Sequence, residues 1–215
     1  MVRGMPPTTA QPEDRITRPS ADPTRDRIVA AAADLFSARS FEGATTRQIA
    51  AAAGVAQPLL NYHFRSKEAL WQAAVDSLFT VLAQRMADRF DGLRGVDAVT
   101  RARLQVREFV TFSARNPQLH RIILQESTTD GPRMDYLVDH VRPLYDATLA
   151  LFDDLARKGA VPAIPAPHLY YILTGAGPTM FVLGPECRRL SGLDPTSDDV
   201  IEAHADAVCR LLFGD

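Results

Sequence analysis

Between positions 57 and 63 the chain sets two amides, Gln57 and Asn61, a phenol, Tyr62, and an imidazole, His63, around one aliphatic side chain, Leu59. A helix face that only meets water carries Lys and Glu instead. Amides pair bidentately with adenine in the major groove, and a leucine packs on a thymine methyl. Arg47, Tyr62, Lys67 and the free N–H groups at helix starts suit phosphates. With Thr46 and Pro58, these residues are the expected DNA contacts.

Two short helices around a tight turn would present that set. Thr45 caps the first, and Gln48 three positions later completes a capping box. Ile49, Ala50 and Ala53 form its small apolar face. Gly54 ends it, because a residue in the left-handed region is best served without a Cβ. Val55 plugs the angle between the helices. Pro58 fits the first turn of the next helix, where a missing N–H costs nothing. Leu60 and Phe64, four apart, face inward, leaving Gln57, Leu59, Asn61, Tyr62 and His63 outside. Ser66 caps a third helix with Lys67 in its first turn.

At these positions the chain resembles the tetracycline-repressor (TetR) family of bacterial transcription regulators. The likeness starts with Arg27-Ile28-Val29-Ala30-Ala31-Ala32-Ala33-Asp34-Leu35-Phe36, similar to the family's first helix. It continues through Phe41-Glu42-Gly43-Ala44-Thr45-Thr46, Ile49-Ala50, Ala53-Gly54-Val55, Tyr62-His63-Phe64 and Ser66-Lys67-Glu68-Ala69-Leu70, covering about residues 24–72. The resemblance implies a dimeric, usually repressing regulator whose C-terminal domain takes a small molecule. Ser40 stands where the family has Gly, and little change is expected there. Asn61 stands where the family has a phosphate-contacting Tyr. The aromatic comes one residue later, so that role passes to Tyr62 or is lost, and Asn61 becomes a base reader. The Gln57-Pro58 pair resembles that of the namesake repressor, which supports Gln57 at a base.

The chain has 215 residues, 46% of them hydrophobic, enough for a substantial core. No apolar run is long enough to span a bilayer, and no signal peptide is evident. Cys187 and Cys209 are expected to be reduced thiols in a cytoplasmic protein. The net charge of −2 is unevenly spread. Residues 24–70 carry six basic and four acidic side chains, while residues 1–23 balance. The excess of acid therefore lies beyond residue 70, and the positive end is the DNA-binding head.

Residues 1–22, with Pro6, Pro7, Pro12 and Pro19 among polar residues, are expected to form a disordered arm. Arg15 and Arg18 would then be within reach of a minor groove. A helix starts at Asp22-Pro23, a cap followed by a first-turn proline. Its Ile28, Ala31, Ala32, Leu35 and Phe36 roof the helix-turn-helix and give residues 23–70 a small core of their own. Beyond residue 70 helical spacing persists to the C-terminus, interrupted at residues 91–95, Gly131-Pro132 and the Pro162, Pro165, Pro167 link. Pro143 should kink its helix. Nothing alternates with period two, so the fold is all-α: a three-helix DNA-binding domain and a larger effector-binding and dimerisation domain over residues 71–215.

Two final helices, one over residues 168–184 and one starting near Thr196, are expected to pair two subunits. The candidates are Leu173, Ala176, Met180, Phe181, Val200, Ala207, Val208 and Leu211, with Gly175 and Gly177 allowing close approach. Paired subunits would set two recognition helices about 34 Å apart. Effector candidates among the middle helices are Phe109, Phe112, His120, Met134, His140, Tyr145, Tyr170 and Thr174, with Phe79, Gln125 and Tyr136 beside them. Their aromatic and aliphatic bias fits a hydrophobic or amphipathic molecule.

No histidine stands four from another, and Gly175-Ala176-Gly177-Pro178 lacks the Lys-Ser/Thr of a phosphate loop. No cofactor, metal or catalytic residue is expected, although an enzyme using His120 and Glu126 is the reading from another class. The expected function is a homodimeric repressor, bound to double-stranded operator DNA and released by a small effector. The alternative is a DNA-binding regulator without small-molecule input, controlled by a protein partner or by abundance.

Overall fold

The computed structural model describes residues 22–91 and 95–214, so the expected arm, with Arg15 and Arg18, lies outside the described residues. All regular structure among them is helical. The helices are α1 (Pro23–Gly43), α2 (Thr46–Ala52), α3 (Gln57–His63), α4 (Lys67–Asp91), α5 (Ala98–Arg115), α6 (Pro117–Glu126), α7 (Pro132–Arg157), α8 (Ala166–Ala176), α9 (Thr179–Val182), α10 (Gly184–Ser191) and α11 (Asp198–Phe213).

Local chemistry sets the ends of the head helices. Asp22 caps α1, its carboxylate accepting from the N–H groups of Thr24 and Arg25. In the α2 capping box, Thr45 Oγ1 accepts from Gln48 N at 3.2 Å and Gln48 Oε1 accepts from Thr45 N at 3.1 Å. Gly54, at φ +65°, makes the turn. Ser66 Oγ accepts from Ala69 N to start α4.

Ser40 departs from expectation. Its backbone sits at φ 61°, ψ 172°, making it the one non-glycine residue with positive φ among those described. That region belongs almost entirely to glycine. The bend turns Phe41 inward, stacked on Phe36 at 5.8 Å and edge-on to Trp71 at 6.5 Å.

The head does not have a core of its own. Ile28, Phe36, Ile49 and Leu60 belong to one apolar cluster that runs along α4 through Leu70, Trp71, Val75 and Leu82 to Leu119 and Ile122 of α6. The expected boundary between residues 70 and 71 falls inside one helix, at two fully buried side chains. A second cluster joins α5, α7, α8, α9 and α11 around Val106, Val110, Leu155, Leu173 and Val208.

The single helix expected over residues 168–184 is instead three pieces. Pro178 has no N–H to donate, and Gly177 lies so close to Phe109 that an added Cβ would stand 3.0 Å from the ring. Gly177, not Gly175, is the glycine that close packing requires. The α7 helix continues through Pro143 to Arg157.

Candidate DNA-reading face and effector cavity

The start of α3 presents Gln57, Pro58, Leu59, Asn61 and Tyr62 on the exposed side, with Tyr62 81% and Leu59 41% exposed. Leu60 and the following Phe64 anchor the opposite side in the core. Gln57 Nε2 donates to Thr46 Oγ1 at 3.4 Å, tying the starts of α2 and α3 into one polar surface. No side chain caps α3; Pro58 brings no N–H to its first turn, and the N–H groups of Leu59 and Leu60 already donate to the Ala56 carbonyl at 3.0 and 3.3 Å. Arg47 is exposed at the start of α2.

Two expected contacts are placed otherwise. The His63 side chain is only 11% exposed and its Nδ1 lies 3.4 Å from Asp22, the cap of α1. It faces inward because the last turn of α3 packs beside the start of α1, so it joins elements of the head and offers little to a base. The Lys67 ammonium lies 4.4 Å from the centre of the Phe41 ring and donates to the Glu42 carbonyl at 3.4 Å. An exposed cation that the expected set omitted, Arg65, follows Phe64, the residue that caps the end of α3. Its signal was only its place in the loop beside Lys67.

The body holds a cavity of about 930 Å³ between α4, α5, α6, α7, α8 and α9. Of the effector candidates, Phe109, His120, Met134, Tyr145, Tyr170 and Thr174 line it, with Phe79. Phe112 does not, being fully buried in the cluster that reaches the head. Nor does His140. Its Nδ1 is 2.9 Å from the Tyr136 carbonyl and its Nε2 is 2.9 Å from Asp76, with the Phe79 and Tyr136 rings beside it. Gln125 and Tyr136 are likewise engaged elsewhere, donating to Ser37 O and Asp76. The expected set missed Arg101, Gln105 and Arg142 on the cavity wall. The signal was available: Arg101 and Gln105 share a helix stripe with Ala98, Ala102 and Phe109.

His120 is buried, which pushes its imidazole down to about 4 and keeps it neutral. The Ser113 hydroxyl donates to Phe109 O at 2.7 Å, so it accepts from His120 Nε2 at 2.9 Å. The second ring nitrogen, Nδ1, is then an acceptor. Ser113 is fully buried with its proton committed to a carbonyl, which is no arrangement for a nucleophile. Glu126, the other residue of the enzyme reading, pairs with Arg133 at 2.8 Å.

The expected pairing residues divide in two. Leu173, Phe181 and Val208 are buried in the second cluster and face their own subunit. Ala176, Met180 and Val200 are half-buried, whereas Ala207 and Leu211 are exposed. The difference arises because α11 packs on α5, fastened by Arg107 to Glu202 and Asp206 and by Arg115 to Asp198. The side of α11 that meets α5 is thus already used.

A helical body with a cavity, carrying a helix-turn-helix head whose outer face bears amides and arginine, defines a DNA-binding transcriptional regulator. Residues 28–74 match the pattern of the bacterial regulatory proteins, tetR family. The chain is 30% identical over 190 residues to the HTH-type transcriptional regulator RutR of Escherichia coli (strain K12), across 86% of this chain and 87% of that one. In fold it is similar to the ketosteroid transcriptional regulator KstR2 of Mycobacterium tuberculosis (TM-score 0.71, 18% identity, 91% of this chain and 98% of that one). It is also similar to AibR, solved with isovaleryl coenzyme A and operator DNA (TM-score 0.66, 19% identity, 89% and 98%). The chain belongs to the tetR family of bacterial regulatory proteins. Among the described residues, no helix is long and apolar enough to cross a membrane.

Proposed function

We propose that two copies of this chain bind a pseudo-palindromic operator and repress transcription, and that a small molecule in the cavity releases them. The observation that carries this reading is the connection between cavity and head through α6. One side of α6, with Leu119, His120 and Ile123, lines the cavity. From the same helix, Gln118 donates to Asp34 at 2.8 Å and Gln125 to Ser37 O at 2.9 Å, both on α1 of the head. A ligand pressing on α6 therefore acts on the head through directed bonds. It shifts the balance of two arrangements only by its difference in affinity between them.

Gln57 and Asn61 read bases, Leu59 packs on a thymine methyl, and Thr46, Arg47, Tyr62 and Arg65 contact backbone. Two heads are needed because a seven-residue α3 reaches few base pairs. The exposed apolar side chains Leu183, Leu190, Leu193 and Leu211, with Ala203 and Ala207, supply the pairing face from α10, α11 and their flanks. RutR, a transcriptional regulator, and the similarly folded AibR, solved with isovaleryl coenzyme A and operator DNA, support this reading.

Selection of bound fragments from genomic DNA, with molecular mass in solution, tests it. The expected result is a dimer that enriches a two-fold symmetric site. A chain that stays monomeric at micromolar concentration and enriches no fragment would overturn it.

A further inference from the structure

Resting on the reading of the cavity as the effector site, we propose that its ligand is an amphipathic anion, a carboxylate on an elongated apolar body, with its head group at Arg101 and Gln105. The walls are dominated by aliphatic and aromatic side chains, which suits the body. The charged side chains on the described lining are Arg101 and Arg142, and there is no carboxylate among them. An apolar void that leaves guanidinium groups on its wall without a counter-charge favours an occupant that brings one.

Arg101 and Gln105 locate the head group. They lie four apart on α5, hence on one side of the helix. Arg101 Nη2 donates to Val96 O at 3.1 Å, but its Nε is buried with no hydrogen-bond partner, and so is Gln105 Oε1. Buried polar groups are rarely left so. A carboxylate accepts from the guanidinium, and the Gln105 amide turns about its last bond to donate its N–H₂ to the same group. Arg142, exposed on the same lining, adds positive potential.

The far end is of different character. Phe109 stands two turns further along α5, roughly 12 Å from Arg101 by helix rise, and the ring of His120, from α6, lies 5.5 Å from it. Besides the neutral imidazole, α6 brings Leu119, Ile123 and Leu124 to the cavity wall. One charged pole and one largely apolar pole call for a ligand with a single anionic end.

The test uses the full chain and three probes of equal length: decanoate, 1-decanol and decylammonium. Binding is read by calorimetry, and DNA release by anisotropy on the tightest genomic fragment. Decanoate is expected to bind at least about tenfold tighter than decanol, with decylammonium weakest. Arg101→Met should reduce decanoate to the level of decanol while leaving decanol unchanged, and Arg101→Lys should keep part of the preference. Equal binding of acid and alcohol, no saturable binding of decanoate, or a preference untouched by Arg101→Met overturns the proposal. Decanoate bound through Arg101 without any loss of DNA affinity would instead sink the release reading and leave the anion site standing. Alcohol and acid releasing DNA equally would do the reverse.

Discussion

The guanidinium of Arg133 lies 4.1 Å from the centre of the Phe41 ring. Phe41 closes α1 in the head, whereas Arg133 opens α7 in the body. Around the same guanidinium stand Glu126 at 2.8 Å, Glu42 at 3.1 Å and Glu68 at 3.9 Å, from the ends of α6, α1 and α4. Four helices thus meet at one cation.

Removing that cation should loosen the joint. Arg133→Met keeps most of the stem and removes the charge, so it is expected to lower unfolding free energy by about 1–2 kcal/mol, the sum of a cation–π contact and partly exposed ion pairs. Urea unfolding reads this directly. A midpoint equal to that of the parent chain would mean that the cluster contributes no net stability.

Ser40→Gly should stabilise the chain. Serine at φ 61°, ψ 172° is strained, at a cost of order 1–3 kcal/mol. Glycine adds about 0.4–1 kcal/mol of unfolded-state entropy, so a net gain of about 1 kcal/mol is expected. Thermal unfolding of the two chains decides it, and a lower melting temperature for the glycine variant would contradict the strain.

The arginines and Lys67 should separate on DNA. Arg47→Ala is expected to reduce the salt dependence of operator binding by about one unit. Lys67→Ala should move it less, since that ammonium already rests on Phe41 and the Glu42 carbonyl. Salt titrations giving the larger slope change for Lys67 would place its side chain on a phosphate after all. Asn61→Ala should alter the preferred base at one operator position, and an unchanged site logo with weaker binding would make Asn61 a backbone contact.

His120 gives the chain an acid-sensitive core. Burial holds its imidazole near 4 instead of 6.5, so below pH 6.5 the unfolded chain takes a proton that the folded one refuses. The stabilising contribution is complete above pH 6.5 and is lost as pH falls toward 4, by up to about 3 kcal/mol. His120→Gln should flatten the decline in stability between pH 7 and pH 5, measured by urea midpoints. An equally steep decline in the variant would assign the effect to other groups.

The helix-turn-helix was legible because its determinants are local. The Thr45 and Gln48 capping box, the left-handed turn at Gly54, the first-turn Pro58 and the i, i+4 spacing of Leu60 and Phe64 act within a few residues of one another. All-α class followed from periodicity for the same reason. Long-range packing decided what periodicity leaves open. A pattern of apolar residues marks a buried side of a helix but not the neighbour that buries it. Hence Phe112 and Leu173 went to the core, His63 turned to the cap of α1, and His140 turned to Asp76. The Ser40 bend, the break at Gly177-Pro178 against Phe109, and the placing of Arg101 and Gln105 on a cavity wall all depend on residues distant in the chain. Sequence therefore determined the helix-turn-helix and the all-α class. Tertiary structure alone decided which polar groups face a void, because a cavity is a property of how helices fail to fill the space between them.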